Sequence, residues 1–182
     1  RGMVLSRDKA LSKQLMSYHR IRAPEFAVFR RGLATKRPHR LKFPLIVKSL
    51  TQEASIGIAQ ASVVEDDTKL KERVKFVHES IGTDAIVERF IDGRELYVGV
   101  IGNERLQVFP VWEMDFRNMR EGVHRIATDR VKWSVEYQKK HGIQTNEATL
   151  SEKTADSIKR MVKRLYRTLN MSGYARMDLR MD

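Results

Sequence analysis

The sequence has no cysteine in its 182 residues, which excludes disulfides, thiolate metal sites and cysteine nucleophiles together. No apolar run approaches the length that crosses a bilayer, so no membrane-spanning segment is expected. Internal repeats and low-complexity tracts are missing, and the opening Arg1-Gly2-Met3 shows no signal-peptide pattern. The histidines, at 19, 39, 78, 124 and 141, lack metal-ligand spacing, and no serine sits in a nucleophile elbow. These absences suit a cytoplasmic protein without a transition-metal centre.

What the sequence does have is positive charge. Lysine and arginine number 35 against 23 acidic residues, a net charge of +12. That excess attracts polyanions: nucleic acid, acidic lipid or nucleotide phosphates. Hydrophobic residues make up 41% and charged residues 32%, the balance of a soluble globular chain long enough for one domain or two small lobes. A soluble enzyme with a basic surface is the preferred reading over a nucleic-acid face, since no recognition motif of the common nucleic-acid folds is present.

Ser6 and Asp8 precede Ala10, Leu11, Leu15 and Tyr18 at helical spacing, predicting a helix over 6–20 that Ala23-Pro24 ends. Strands are predicted at Phe26–Phe29, Leu45–Val47, 58–64 and Ala85–Glu88, with a helix capped by Asp66 and carrying Leu70, Val74 and Val77. Leu96, Val98 and Val100 alternate before the Gly102-Asn103 turn, and Leu106–Trp112 returns. Arg117 to Arg130 shows no period and reads as a loop. The longest helix starts at Ser151-Glu152 and steps through Ala155, Ile158, Val162, Leu165 and Leu169. Tyr174–Met181 then alternates, with Ala175, Met177 and Leu179 on one side and Arg176, Asp178 and Arg180 on the other. Helices mixed with hairpins predict an α+β fold.

Three segments carry residue types suited to chemistry. Lys48 ends a buried strand and leads into the small, hydroxyl-bearing run Ser49 to Gly57. An ammonium followed by loop amides can hold a phosphate chain, although the spacing is not that of a Walker loop and a plain hairpin with a snorkelling lysine is the alternative. In the second, Ile86 to Glu95, Glu88 and Glu95 flank a short apolar hinge. Adenine needs apolar walls with a backbone donor and acceptor, and ribose suits a carboxylate; a solvated strand edge is the alternative. In the third, Tyr174-Ala175-Arg176-Met177-Asp178, a guanidinium and a carboxylate share one strand face. They could hold a phosphoryl group and its metal, or simply pair with each other.

Taken in this order, the three segments resemble the ATP-grasp superfamily, in particular its D-alanine–D-alanine ligase branch and related carboxylate–amine ligases, from Ser6 to Asp182. Asp8, Lys9 and Lys13 resemble the family's opening D-K-x-x-x-K helix, whose first lysine contacts phosphates. Lys48 resembles the second phosphate-binding lysine, and Ser55-Ile56-Gly57 the loop over the triphosphate. Glu88, Arg89, Phe90 and Ile91 resemble the adenine hinge, and Glu95 the ribose-binding residue. Lys132-Trp133 resembles a Lys-aromatic pair near the γ-phosphate, Arg176 the arginine at the reacting centre, and Asp178 the first magnesium ligand. Glu53-Ala54 departs from the glycine and serine usual in that loop.

The resemblance implies two α+β lobes closing on a nucleotide: a leading helix over 1–22, a small lobe over 23–91 and the start of a large lobe over 92–182. It implies ATP, Mg2+ (or Mn2+), and a small carboxylate plus an amine (or thiol) as partners, with a homo-oligomer left open. Because the family's E-x-N metal motif and preceding substrate domain are not in the sequence, the chain is expected to be a piece of a larger ligase, inactive alone. A basic nucleic-acid-binding module and a nucleotide sensor without ligase activity are the rival readings.

Overall fold

Strand alternation and helix capping divide the chain between two antiparallel sheets, each with a helix on one face. The structure, a computed structural model, describes residues 2–53, 55–116, 118–120 and 122–182. Arg1, Ala54 and Arg117, named above, lie outside the described residues.

The predicted first helix is two helices. Helix α1 spans Gly2–Arg7 and α2 spans Lys9–Tyr18. Asp8 separates them because its backbone is extended and its carboxylate accepts from the amides of Ala10 and Leu11, at 2.8 and 3.0 Å. An N-cap begins a helix and cannot also continue one.

Strands β1 (Phe26–Phe29), β2 (Leu45–Ser49) and β3 (Val63–Val64) and helix α3 (Asp67–Phe76) come next, followed by β4 (Ala85–Arg89). The first sheet has the order β1-β4-β2-β3. The strand expected over 58–64 shrinks to Val63–Val64, because a tight turn at Gln60–Ser62 occupies its first half. Period 2 puts Leu45, Val47, Ala85 and Val87 on one face, where they meet Leu70 and Val74 of α3 in a buried cluster. Ile46, Lys48, Ile86 and Glu88 face the other way.

Strands β5 (Arg94–Ile101) and β6 (Gln107–Asp115) form the predicted hairpin. After them come the short helices α4 (Asp129–Trp133) and α5 (Val135–His141) and strand β7 (Gln144–Glu147), then α6 (Glu152–Thr168) and β8 (Tyr174–Met181). The second sheet runs β7-β6-β5-β8. Leu96, Val98, Val100, Val111 and Met177 bury one face of it against Ile158, Val162, Leu165 and Tyr166 of α6. Leu15 and Met16 of α2 add to the same cluster. The expected loop to Arg130 ends earlier, because the Thr128 hydroxyl accepts from the Val131 amide and starts α4. The α+β class holds, and both sheets leave one face for other uses.

Between the sheets, Phe90, Ile46, Val63 and Ile126 form a small apolar cluster. The segment approaching α4 is tied down from several sides. The Gln60 side chain donates to the His124 carbonyl and accepts from its amide, at 3.0 and 2.9 Å. Asp129 donates its amide to the Ile58 carbonyl at 3.3 Å.

The Tyr166 side chain, buried in α6, donates its hydroxyl to the carbonyls of Gly102 and Gly173, at 2.6 and 2.9 Å. It therefore joins the β5–β6 turn to the turn that enters β8. Tyr166→Phe should lower stability by about 1–3 kcal/mol, the cost of leaving buried acceptors unpaired. Urea denaturation followed by circular dichroism measures this, and an unchanged midpoint would show the tie to be dispensable.

Candidate functional site

The polar face of the first sheet carries a dense cluster of charge. Ile46 is paired with Glu88 and Lys48 with Ile86, so Lys48 and Glu88 are diagonal neighbours on one face. The Lys48 ammonium lies 3.0 Å from the Glu88 carboxylate. Helix α2 brings Lys13 to 3.5 Å from the same oxygen, one turn beyond Lys9. The Lys9 ammonium donates to the carbonyls of Leu50 and Gln52, at 3.3 and 2.6 Å. Two lysines thus share one buried carboxylate, and a third stands close enough to feel its charge.

The electrostatics follow from that ratio. Burial works to raise the Glu88 carboxyl, but Lys48 and Lys13 outweigh it and hold the group below the ordinary glutamate value. Burial lowers Lys9 and Lys13, with the charge of Lys48 adding to it. Lys13 is lowered despite touching Glu88, because one carboxylate cannot compensate several desolvated ammoniums. Glu88, Glu53 and Asp8 offset burial at Lys9 only in part, so an added anion would favour the charged form of these lysines.

The loop after Lys48 is braced at both ends. Ser49 accepts from the Gln52 amide at 3.0 Å, and the Arg73 guanidinium donates to the Gly57 carbonyl and, at 2.9 Å, to Ser62. Ser55 and Gly57 both adopt positive φ, 63° and 71°. A Cβ on Gly57 would come within 2.2 Å of the Ile81 side chain, so glycine is required there.

At the hinge, the amides of Arg89 and Phe90 donate to the carbonyls of Glu25 and Pro44, at 2.9 and 3.0 Å. The Phe90 ring is buried beneath His124, at 5.5 Å, and Arg180, at 5.5 Å. Glu95 accepts from the Tyr97 hydroxyl at 2.7 Å and from the Ala127 amide at 3.3 Å, and forms an ion pair with Arg180 at 3.2 Å. Burial, and then the Glu95 charge, raise the Tyr97 hydroxyl well above its ordinary value, so it stays a donor.

The open face of the second sheet holds the remaining candidates. Asp178 stands opposite Tyr97 and Arg176 opposite Gly99. Arg176 makes a two-pronged contact with Asp178, at 2.8 and 3.2 Å, and lies 4.8 Å over the Tyr97 ring. Arg176, Lys132 and Trp133 line one cleft of about 920 Å³ with Tyr97, Trp112 and Tyr174. Among the described residues no three acidic or histidine side chains gather as a metal site. Asp178, expected as a metal ligand, is engaged by Arg176.

The candidates thus fall into two groups: Lys48 and Glu88 of the first sheet with Lys9 of α2, and Arg176 and Asp178 of the second sheet with Lys132 of α4. The hinge and Glu95 lie between them. Tyr97, Gln60, His124 and Arg180 escaped the sequence reading as site residues. Only Arg180 left a signal, by sharing the alternation of Arg176 and Asp178.

Residues 12–182 match the family model described as "D-ala D-ala ligase C-terminus". An uncharacterized protein of Sinorhizobium fredii, y4sG, is 31% identical over all of this chain and 51% of its own length. A D-alanine–D-alanine ligase of Desulforudis audaxviator is 27% identical over 96% of this chain and 54% of its own. The crystal structure of the Bacillus anthracis D-alanine–D-alanine ligase complexed with ATP superposes with a TM-score of 0.73 at 18% identity, covering 97% of this chain and 50% of that one. The chain spans about half the length of the curated relatives it matches.

The lowered Glu88 carboxyl has a consequence for stability. Its contribution is complete above the ordinary glutamate value of 4.5 and is lost as pH falls through the lower folded value. Lys9 and Lys13 act at the other end, where stability rises as pH passes their lowered values toward 10.5. Glu88→Gln should cost on the order of 3 kcal/mol at neutral pH, as breaking a buried ion pair does. The variant should also lose part of the acid-limb dependence. Denaturation at pH 7 and pH 3 tests both, and parallel acid limbs would overturn the assignment.

Proposed function

The chain belongs to the ATP-grasp family of D-alanine–D-alanine ligase C-terminal domains, and from that premise we propose that it is the nucleotide-binding portion of an ATP-dependent carboxylate–amine ligase. The observation that carries the proposal is the convergence of Lys9, Lys13 and Lys48 beside the buried Glu88, at the head of a loop of small residues. Such a set of ammonium groups next to loop amides suits a phosphate chain. Lys9 and Lys48 then take the phosphates, with Ser55 and Gly57 closing over them. Glu88 orients the lysines and is not itself a phosphate ligand.

Adenine is assigned to the hinge Glu88, Arg89, Phe90 and Ile91. The amides of Arg89 and Phe90 are engaged, whereas that of Ile91 has no protein partner among the described residues. It can serve as the backbone donor that an adenine edge needs. Glu95 is assigned to the ribose, which must compete with Tyr97 and Arg180 for the carboxylate. That exchange also frees Ala127, so nucleotide binding would move the segment leading to α4.

The reaction follows from the second group. A substrate carboxylate oxygen attacks the γ-phosphorus, ADP leaves, and an acylphosphate forms. An amine nitrogen then attacks the acyl carbon, phosphate leaves, and the amide forms with loss of a proton. Arg176, stacked on Tyr97, presents a fixed guanidinium to the charge that develops on these oxygens, and Lys132 adds a second cation across the cleft. Asp178 provides one ligand to a Mg2+ (or Mn2+) ion, whose chemistry is to neutralise phosphate charge.

Two measurements on the full-length protein test this reading. Lys48→Ala should weaken ATP binding by about 1.5–3 kcal/mol in calorimetry, the scale of a charge-assisted hydrogen bond. Arg176→Ala should lower ADP formation by on the order of 10²–10³ with little change in ATP affinity. ATP binding that ignores Lys48 would remove the phosphate assignment. An Arg176→Ala enzyme that keeps its kcat at saturating ATP but binds ATP much more weakly would put Arg176 at the wrong end of the nucleotide. ATP binding without ADP formation would favour a nucleotide sensor.

A further inference from the structure

Resting on the ligase reading, we propose that the cleft on the open face of the second sheet recognises an amino acid with an aromatic or large apolar side chain. The cleft of about 920 Å³ carries two cations, Lys132 and Arg176, and no carboxylate among its lining residues. Five of its other lining residues are aromatic, among them Trp133 and Tyr97. Phe109, Trp112 and Tyr174 line it and are 37%, 45% and 62% exposed.

This composition is unusual for the outer face of a sheet whose inner face already holds the core. An antiparallel sheet that faces water on one side alternates apolar residues inward with polar residues outward. Here β6 and β8 turn aromatic side chains outward, next to the groups assigned to the reaction. Large rings bring much apolar area per residue, and they favour a ligand that covers them.

The backbone is shaped for the same purpose. Gly99 forms the strand beneath Phe109 and Tyr174, whose ring centroids are 6.5 Å apart at 62°. A Cβ on Gly99 would stand 3.0 Å from the Phe109 ring and 3.3 Å from that of Tyr174. The glycine thus lets both rings settle onto the strand. Arg176 is the cross-strand partner of Gly99, which puts the anion-binding group beside this aromatic end. A carboxylate held at Arg176 and Lys132 would extend its side chain over Trp112 and Phe109. A methyl group would leave that surface wet.

The test is ADP formation by the full-length protein with ATP and single amino acids or pairs of them, in both stereochemical forms. Phenylalanine, leucine and tryptophan are compared with alanine and glycine. Phenylalanine should exceed alanine in kcat/KM by at least about tenfold, the discrimination that apolar pockets reach. Trp112→Ala should reduce that ratio about tenfold, and Trp112→Phe should restore most of it, with thermal melts confirming folding. Should Trp112→Ala fail to fold, Gly99→Ala serves instead, since it crowds Phe109 and Tyr174 and should also lower the ratio. Equal or better use of alanine would overturn the inference and leave the ligase reading standing. A phenylalanine preference indifferent to Trp112 and Gly99 would overturn it as well, as when another segment of the full-length protein fills the cleft. ATP binding with no ADP formed from any amino acid would remove both.

Discussion

A single buried carboxylate organises the polar face of the first sheet. Glu88 is desolvated on an interior strand, where an isolated charge would be prohibitively costly, and it stays ionised only because Lys13 and Lys48 reach it. Those contacts require α2 to lie across the sheet and β2 to pair with β4 in the observed register. A one-residue slip in that pairing would turn Lys48 into the apolar cluster. The ion pairs and the fold therefore impose the same geometry.

The second sheet shows the same economy in another form. Tyr97 supports Arg176 through its ring and Glu95 through its hydroxyl. Arg180 links Glu95 to Phe90 and, through the carbonyls of Gly93 and Arg125, to backbone on both sides of the hinge. Each of these side chains spans two elements. The region between the sheets is thus held by a few polar contacts around a small apolar cluster, an arrangement that can be exchanged for ligand contacts more readily than a packed core.

Much of this was legible in the sequence because its signals are local. The α6 stripe, the β8 alternation and the Gly102-Asn103 turn depend on neighbours a few residues away. So do the candidate residues that share a strand, Arg176 with Asp178. The rest depended on contacts distant in sequence. Nothing near Gln60 announces that its amide will clasp His124, and Lys13 gains its meaning only from Glu88. The start of α2 was legible, since Ser6 and Asp8 precede its apolar repeat as capping residues, but nothing local shows that Gly2–Arg7 forms a helix of its own. The short elements α4, α5 and β7 carry too few apolar residues to show a period.

The hydroxyl of Tyr166 has a reach beyond its own helix. By holding the entry to β8, it sets which residues of that strand emerge on the open face. With the strand displaced by one position, Ala175, Met177 and Leu179 would emerge there in place of the guanidinium and carboxylate that the chemistry needs. The α6 face that carries Tyr166 touches no substrate in the proposed reaction, yet it should tolerate sequence drift as poorly as the cleft itself. Damage there would register first as lost selectivity or turnover in an otherwise folded protein.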